Sequence, residues 1–179
     1  MLPVLRSCAL SECYSLVEVI LPVKLEGIGG SAFNFCSNLK NIDFPPTLKT
    51  IGSHAFQRCD RLEKISLPGV ETINYSAFLG CSTLTEVRIP STLKSIGDDA
   101  FLCENLKKVY TYTVEPISIG QQTFYKTTYE TCSLYIPKQS KNNYYWNTQW
   151  SQFAKLEEFD EPYKYFYLNK EYTLNDRFT

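Results

Sequence analysis

Hydrophobic residues return along the chain at matching positions every 22 or 23 residues. A column of leucines is followed three residues later by a column of branched residues: Leu16, Leu39, Leu62, Leu84 and Leu106, then Val19, Ile42, Ile65, Val87 and Val109. A single coil of this length cannot bury its own apolar side, whereas stacked coils form one continuous core. The pattern therefore predicts a repeat solenoid of five to six repeats over residues 1–137.

Each repeat contains two extended segments. The first has the form Ile-x-Leu-Pro, and its alternation and branched residues predict a short strand that ends at a proline. The second begins at a further column of apolar residues, Ile28, Ile51, Ile73, Ile96 and Ile119. It usually continues as Gly-x-x-Ala-Phe-x-x-Cys, which predicts a bend permitted by glycine and then a helical turn that buries Ala and Phe.

The complete pattern, L-x-x-I-x-L-P-x-x-L-x-x-I-G-x-x-A-F-x-x-C, resembles the BspA-like, or Treponema-type, leucine-rich repeats. The resemblance extends from Leu2 to about Phe159. It implies a right-handed superhelix of short β-strands and helical turns with a C-terminal cap. It also implies a bacterial cell-surface or secreted protein, in a family whose members engage host extracellular-matrix proteins or other bacteria.

The repeat degenerates near its C-terminal end, where Thr123-Phe124 replaces Ala-Phe and residues 126–131 are polar. The aromatic segment that follows can cover the apolar end of the last coil. We expect residues 138–159 to form this cap, with a short helix from near Ser140 and a strand over Lys155–Phe159. Beyond the cap, alternating tyrosines and an Asn169-Lys170 turn signal predict that residues 160–179 form either a β-hairpin or the start of a truncated domain.

The N-terminal end begins in the middle of a repeat, and no N-terminal cap is visible in the sequence. An uncapped coil presents an apolar face to solvent. We therefore expect the isolated chain to self-associate through this end. Residues 1–11 lack the features of a signal peptide, so the expected surface or extracellular location rests on the family resemblance alone.

Composition narrows the classes of partner. The formal net charge is −1, which argues against a nucleic-acid partner, because phosphate binding needs clustered and uncompensated Lys and Arg. The longest apolar runs, such as residues 19–22, are far shorter than the roughly 20 residues that cross a bilayer. We expect neither nucleic-acid binding nor a transmembrane segment.

The candidates for chemistry are few. The cysteine column places thiols about 5 Å apart, which leaves a disulfide or soft-metal site open, but a buried small hydrophobe is the favoured interpretation. Its members are Cys13, Cys36, Cys59, Cys81 and Cys103. His54 is the single histidine and is expected in a solvated corner, without a nucleophile in register. We predict no enzyme activity, no metal and no cofactor.

Two ladders of exposed residues remain. Glu26, Lys49, Glu71 and Lys94 alternate in sign and predict ion pairs between coils. Outward positions of the first strand carry varied residues on a fixed lattice, which suits partner recognition and equally suits an unconstrained solvated face. The residues of this candidate partner-binding face are Glu18, Asn41, Asp43, Lys64, Ser66, Glu86, Arg88, Lys108 and Tyr110.

The sequence thus predicts a non-catalytic protein-binding or adhesion module whose partner is a protein, with extracellular-matrix proteins as candidates. One alternative is a structural spacer that displays another domain. The other is a carbohydrate-binding module that uses C-terminal aromatic residues, although those residues are better explained as the core of the cap. They are Tyr144, Tyr145, Trp146 and Trp150.

Overall fold

Short strands recur at the period of the sequence repeat. The computed structural model describes residues 3–160, 164–167 and 170–173. In chain order the strands are β1 (Val4–Leu5), β2 (Glu18–Val19), β3 (Gly27–Ile28), β4 (Asn41–Ile42), β5 (Thr50–Ile51), β6 (Lys64–Ser66), β7 (Thr72–Ile73), β8 (Glu86–Ile89), β9 (Ser95–Ile96), β10 (Lys108–Thr111), β11 (Ser118–Ile119), β12 (Ser133–Pro137), β13 (Lys155–Phe159), β14 (Lys164–Tyr167) and β15 (Lys170–Thr173). The helices are α1 (Lys126–Thr131), α2 (Lys141–Tyr145) and a 3₁₀ turn at Trp150–Gln152.

The strands of successive coils stack in parallel. Sheet I contains β1, β3, β5, β7, β9 and β11 in that order, and sheet II contains β6, β8, β10, β12 and β13. Strands β2 and β4 pair with each other in register with the same repeat. Column residues lie side by side, as Ile65, Val87 and Val109 do in sheet II. The predicted repeat solenoid is confirmed.

The segments between the end of one sheet I strand and the following cysteine are turns, so the expected helical turn is wrong. Their backbone N–H groups alternate between two kinds of acceptor. In the second coil, every other N–H donates to the next coil at 2.8 Å: Ser31 to Ser53, Phe33 to Ala55 and Phe35 to Gln57. The N–H groups between them close turns onto carbonyls three residues earlier, as Ala32 does on Gly29. A helix would direct every one of these bonds along its own axis, which would leave the next coil without partners.

In the first four of these turns two positions have left-handed backbone: the residue before Ala, as at Ser31, and the residue before Cys, as at Phe35. In the fifth turn only the first of these positions, Asp99, has it. For a residue with a side chain this conformation costs on the order of 1 kcal/mol, and the lateral hydrogen bonds offset that cost. The glycines serve a different purpose from the expected bend. A Cβ on Gly52 would lie 2.5 Å from the backbone nitrogen of Gly30, so glycine is required there because the neighbouring coil passes so close.

The core repeats with the coils. The phenylalanine rings at one position of each coil stack nearly parallel, and their centroids are 5.0, 5.2, 5.3 and 5.8 Å apart from Phe33 to Phe124. Each such pair adds about 0.5–1.5 kcal/mol to the stabilisation from burial. Phe124 in turn meets Phe153 edge-on at 5.3 Å, so a continuous aromatic column ties the second coil to the cap.

Three of the four residues of the predicted alternating ladder, Lys49, Glu71 and Lys94, form ion pairs between coils. The Glu71 carboxylate lies 2.6 Å from Lys94 Nζ and 3.3 Å from Lys49 Nζ. The hydrogen bond from Lys94, followed by that from Lys49, lowers the pKa of Glu71 below its usual value. The surface of the solenoid is thus bridged across three coils.

The C-terminal segment closes the last coil with aromatic side chains. Trp150 is fully buried, and its Nε1 donates to the carbonyl of Ile117 at 2.8 Å. Tyr144 is also fully buried, and its hydroxyl is hydrogen-bonded to the Oγ1 atoms of Thr111 and Thr113 at 3.1 and 2.7 Å. In the described part of the chain no further coil follows to bond the polar atoms at the end of the last coil, and these hydrogen bonds pair them instead.

After β13 the chain forms an antiparallel pair, β14 with β15, in which Phe166 lies opposite Glu171. Cα atoms of β14 approach within 8 Å of those of β6. The turn expected at Asn169-Lys170 lies partly outside the described residues, since residue 169 is not among them. The hairpin therefore lies beside sheet II instead of extending the solenoid.

Candidate partner-binding face

Sheet II brings most of the predicted face together. Lys64, Glu86 and Lys108 form one row across β6, β8 and β10, and Ser66, Arg88 and Tyr110 form the next. Neighbouring members of a row are about 4.8 Å apart because they occupy paired strands. These six outward residues form one continuous surface.

The other three predicted residues lie on or beside the β2–β4 pair. Glu18 and Asn41 are direct cross-strand neighbours, and Asp43 follows β4 by one residue. Because the β2–β4 pair is separate from sheet II, the face consists of two adjoining parts. Glu18 is exposed, whereas Asn41 and Asp43 are half-buried.

The centre of the face is covered. Ser66, Glu86 and Arg88 are only 3, 7 and 7% exposed, whereas Lys64 and Lys108 in the same rows are exposed. Strand alternation points all of these side chains away from the core, so groups on the outer side of the sheet bury them. Strand β14, which lies against β6, is the described element in that place.

Charges within the covered region are paired. Arg88 Nε donates to Glu86 Oε1 at 2.8 Å, and Lys64 Nζ lies 3.9 Å from Glu86 Oε2. The guanidinium carbon of Arg88 lies 5.1 Å from the centre of the Tyr110 ring. Removing a charge from water is costly unless an opposite charge or a ring face compensates, and both do so here.

An aromatic cluster continues the face toward the cap. Tyr110 stacks on Tyr135 with ring centroids 4.4 Å apart, and Phe159 meets Tyr110 and Tyr112 edge-on at 5.8 and 4.9 Å. Burial, followed by the nearby Glu86 carboxylate, raises the pKa of Tyr110 to about 12. The hydroxyl of Tyr110 is therefore a neutral hydrogen-bonding group at physiological pH.

Sequence reasoning placed Tyr110 on the face and missed Tyr112, Tyr135 and Phe159. The available signal was the alternation of Leu134-Tyr135-Ile136, which has the same pattern as the strands of the repeat. The structure pairs this strand, β12, in register with β10. Treating the cap as a continuation of sheet II would have included these rings in the face.

The cysteine column has a structural role. Buried thiols donate to carbonyls of the preceding coil, as Cys59 does to Phe33 at 3.2 Å and Cys81 to Phe56 at 3.1 Å. All seven cysteines lie within the described residues, and all are free thiols. Burial raises the pKa of Cys59 and that of Cys81, which keeps both sulfurs protonated.

The remaining candidates for chemistry are isolated. His54 is half-buried instead of solvated, because the Tyr75 ring lies edge-on to its imidazole at 5.1 Å. Among the residues that the structure describes, no three or more His, Cys, Asp or Glu side chains are grouped to hold a metal ion. In that same part of the chain, none of the helices has the length and apolar character needed to cross a bilayer.

The C-terminal aromatic residues divide into two pairs. Tyr144 and Trp150 are fully buried in the cap. Tyr145 and Trp146 are 61 and 79% exposed, and their rings are nearly perpendicular with centroids 4.9 Å apart. The cap-core interpretation therefore holds for the first pair, and the second pair presents aromatic surface to solvent.

Comparison with known proteins agrees with this geometry. A family model described as the BspA type leucine rich repeat region matches residues 4–131 in six copies. A solved leucine-rich repeat protein of T. pallidum is 28% identical with a TM-score of 0.60, and the match covers 74% of this chain and 67% of that one. No curated protein matches the chain.

A solved leucine-rich repeat protein from Bacteroides ovatus is 18% identical with a TM-score of 0.57. The match covers 88% of this chain and 52% of that protein, so the chain spans about half of its length. At this identity the likeness concerns the fold alone.

Proposed function

Because the chain belongs to the family of BspA-type leucine-rich repeat regions, we propose that it is a protein-binding or adhesion module and that its partner binds the outward face of β2, β4 and sheet II. Repeats of this kind are generally non-catalytic interaction modules. The nine residues assigned to the partner are Glu18, Asn41, Asp43, Lys64, Ser66, Glu86, Arg88, Lys108 and Tyr110.

One observation carries this proposal: the inward residues of the paired strands are alike from coil to coil, whereas the outward residues vary. In sheet II the inward row is Ile65, Val87 and Val109, while the outward row beside it is Lys64, Glu86 and Lys108. The inward row conserves a shape that packing requires, whereas the outward row is free to match a partner. A rigid lattice also loses little conformational entropy on binding.

The location of this activity is part of the proposal. Members of this family are commonly found at the cell surface or outside the cell, which supports assigning the chain to a bacterial surface or secreted protein. Immunoblotting of surface, secreted and cytoplasmic fractions of the source bacterium tests this assignment. Detection in the cytoplasmic fraction alone would contradict it.

The test of the face is equilibrium binding of the full chain to a panel of extracellular-matrix proteins, fibrinogen and bacterial surface proteins. Lys64 and Lys108 are exposed, so we choose Lys64→Gln/Lys108→Gln as the face variant. Glutamine is preferable to glutamate because a new carboxylate would face the buried Glu86. We expect at least tenfold weaker binding, which corresponds to about 1.4 kcal/mol.

The matched control is Lys126→Gln/Lys141→Gln, which removes the same charge from exposed positions on α1 and α2. Equal loss in both variants would show a nonspecific charge effect and contradict the assignment of the face. Binding to no protein in the panel would contradict adhesion and favour a spacer that displays a neighbouring domain.

A second candidate function follows from the exposed Tyr145 and Trp146. Carbohydrate-binding proteins stack sugar rings on exposed aromatic faces, and this pair offers two. Glycan-array binding that is lost in Trp146→Ala and retained in Tyr75→Ala, which removes another exposed aromatic ring, would support this alternative. Unchanged glycan binding in Trp146→Ala would contradict it.

A further inference from the structure

The covered centre of the face contrasts with its surroundings. Outward side chains at Ser66, Glu86 and Arg88 are buried, whereas Lys108 in the next coil and Glu18 in the first coil are exposed. Every one of these positions alternates outward on its strand. Repeat geometry alone would expose all of them, so the burial over β6 and β8 is local.

The element that lies there belongs to the C-terminal segment. Among the described residues, strand β14 pairs with β15 and belongs to a sheet separate from sheet II, yet its Cα atoms come within 8 Å of those of β6. Stacked sheets are usually about 10 Å apart, so β14 is close enough to exclude water from the side chains beneath it.

We infer that the β14–β15 hairpin is an intramolecular cover of the partner-binding face, and that a partner protein must displace it to reach Ser66, Glu86 and Arg88. The gating role rests on the proposed function of the face, whereas the cover itself does not. The chain's own C-terminal segment and the partner compete for one surface.

The charges under the cover favour a reversible contact. Docking of the hairpin takes the Glu86–Arg88 ion pair out of water, and the desolvation of two charges opposes docking. The two charges of this pair are joined at 2.8 Å within the sheet. This desolvation cost lowers the free energy needed to open the contact, as a displaceable cover requires.

The experiment measures carboxylate reactivity in the full chain, with carbodiimide and glycine ethyl ester as reagents and mass spectrometry as the readout. The Glu86 side chain is 9% exposed and that of Glu63 is 60% exposed, so Glu63 is the internal reference. The test variant is Tyr165→Pro/Phe166→Pro. In an antiparallel pair one of two adjacent residues donates to the partner strand, and proline at both positions removes that donor.

We expect Glu86 labelling to rise several-fold in this variant, toward the labelling of Glu63. Addition of a synthetic peptide of residues 160–179 should protect Glu86 again. Val23→Pro is the proline control, because Val23 lies in an exposed turn closed by the Leu25 N–H and the Pro22 carbonyl, and there Glu86 should remain protected. Glu86 labelling equal to that of the parent chain in the double-proline variant would overturn the cover.

A second measurement on the unmodified chain guards against a variant that fails to fold. In increasing urea, a separate cover exposes Glu86 before the buried thiol of Cys81 reacts with a thiol reagent. A single coincident transition would overturn the proposal.

The gating role is tested by a separate binding measurement, since any protein that binds the parent chain should bind the double-proline variant more tightly. If Glu86 becomes exposed in the variant but binding is no tighter, the gating role is overturned and the cover is not. If no protein of the panel binds either chain, the proposed function is contradicted, and the labelling result still tests the cover.

Discussion

The first coil, residues 4–25, and the cap, residues 138–159, differ in how far their apolar residues are buried. In the first coil Val17, Ile20 and Val23 are exposed, and Ile20 reaches 83%. In the cap Tyr144 and Trp150 are completely buried. The difference also appears within one column, because Leu16 is half-buried while Leu39 is 0% exposed. A column residue is thus buried by a neighbour on each side and not by its own coil.

The largest effect is expected from opening the cap. Trp150→Ala removes a buried ring that also donates a hydrogen bond, so it should lower the free energy of unfolding by about 3–5 kcal/mol. Trp146→Ala, at the exposed neighbouring site, should change it by less than about 0.5 kcal/mol. Denaturant unfolding followed by circular dichroism measures both. Similar losses of stability in the two variants would contradict the division of the cap aromatic residues into a buried pair and an exposed pair.

The next effect compares one column in two coils. Leu39→Ala creates a cavity between two coils and should cost about 2–5 kcal/mol. Leu16→Ala should lower the free energy of unfolding by less than half as much, because the Leu16 side chain is only half-buried in the folded chain. Urea midpoints of the two variants test this ratio. Equal costs would show that burial in the first coil does not depend on a second neighbour.

A smaller effect concerns the exposed first coil and the expected self-association. Val17→Lys/Ile20→Lys places charges on exposed positions, so the free energy of unfolding of the monomer should change by about 0.5 kcal/mol or less. Its association, measured by sedimentation velocity over a range of concentrations, should decrease. Exposed Tyr145→Lys in the cap is the control. If sedimentation of the unmodified chain does not change with concentration, the expected self-association is contradicted.

The smallest effect is electrostatic. Glu71 has a lysine in the coil on each side, and hydrogen bonds from Lys94 and Lys49 lower its pKa in the folded chain. The ionised carboxylate therefore stabilises the fold above the pKa of an unfolded glutamate, and this contribution is lost as the pH falls through the lowered value. Glu71→Gln should make thermal stability less dependent on pH in that acidic window. Because Glu71 is solvated, the effect should shrink in high salt.

The stacking of coils could be predicted from sequence because column residues such as Ile65 and Val87 repeat at a fixed spacing. The left-handed turns could not. Ser31 and Phe35 carry no local signal for that conformation, since the bonds that stabilise it come from the next coil. The role of Gly52 was misjudged for a related reason, because its constraint is the backbone of the neighbouring coil.

The candidate face was predicted in part. Strand alternation assigned Lys64 and Lys108 to exposed positions and brought Arg88 next to Tyr110. It could not show that Arg88 is covered, because the covering strand lies more than seventy residues later in the chain. Periodicity predicts which way a side chain points, whereas tertiary contact decides whether solvent reaches it.

The alternating N–H groups of the turns give adjacent coils a third set of bonds, in addition to those in the two sheets. All three sets run along the axis of the solenoid, because each joins one coil to the next. Tension along that axis loads them together, so two coils separate only when bonds on three sides break at once. Tension applied across the axis at a chain end instead loads them one after another and peels off single coils. The mechanical strength of the solenoid thus depends on the direction of the applied force.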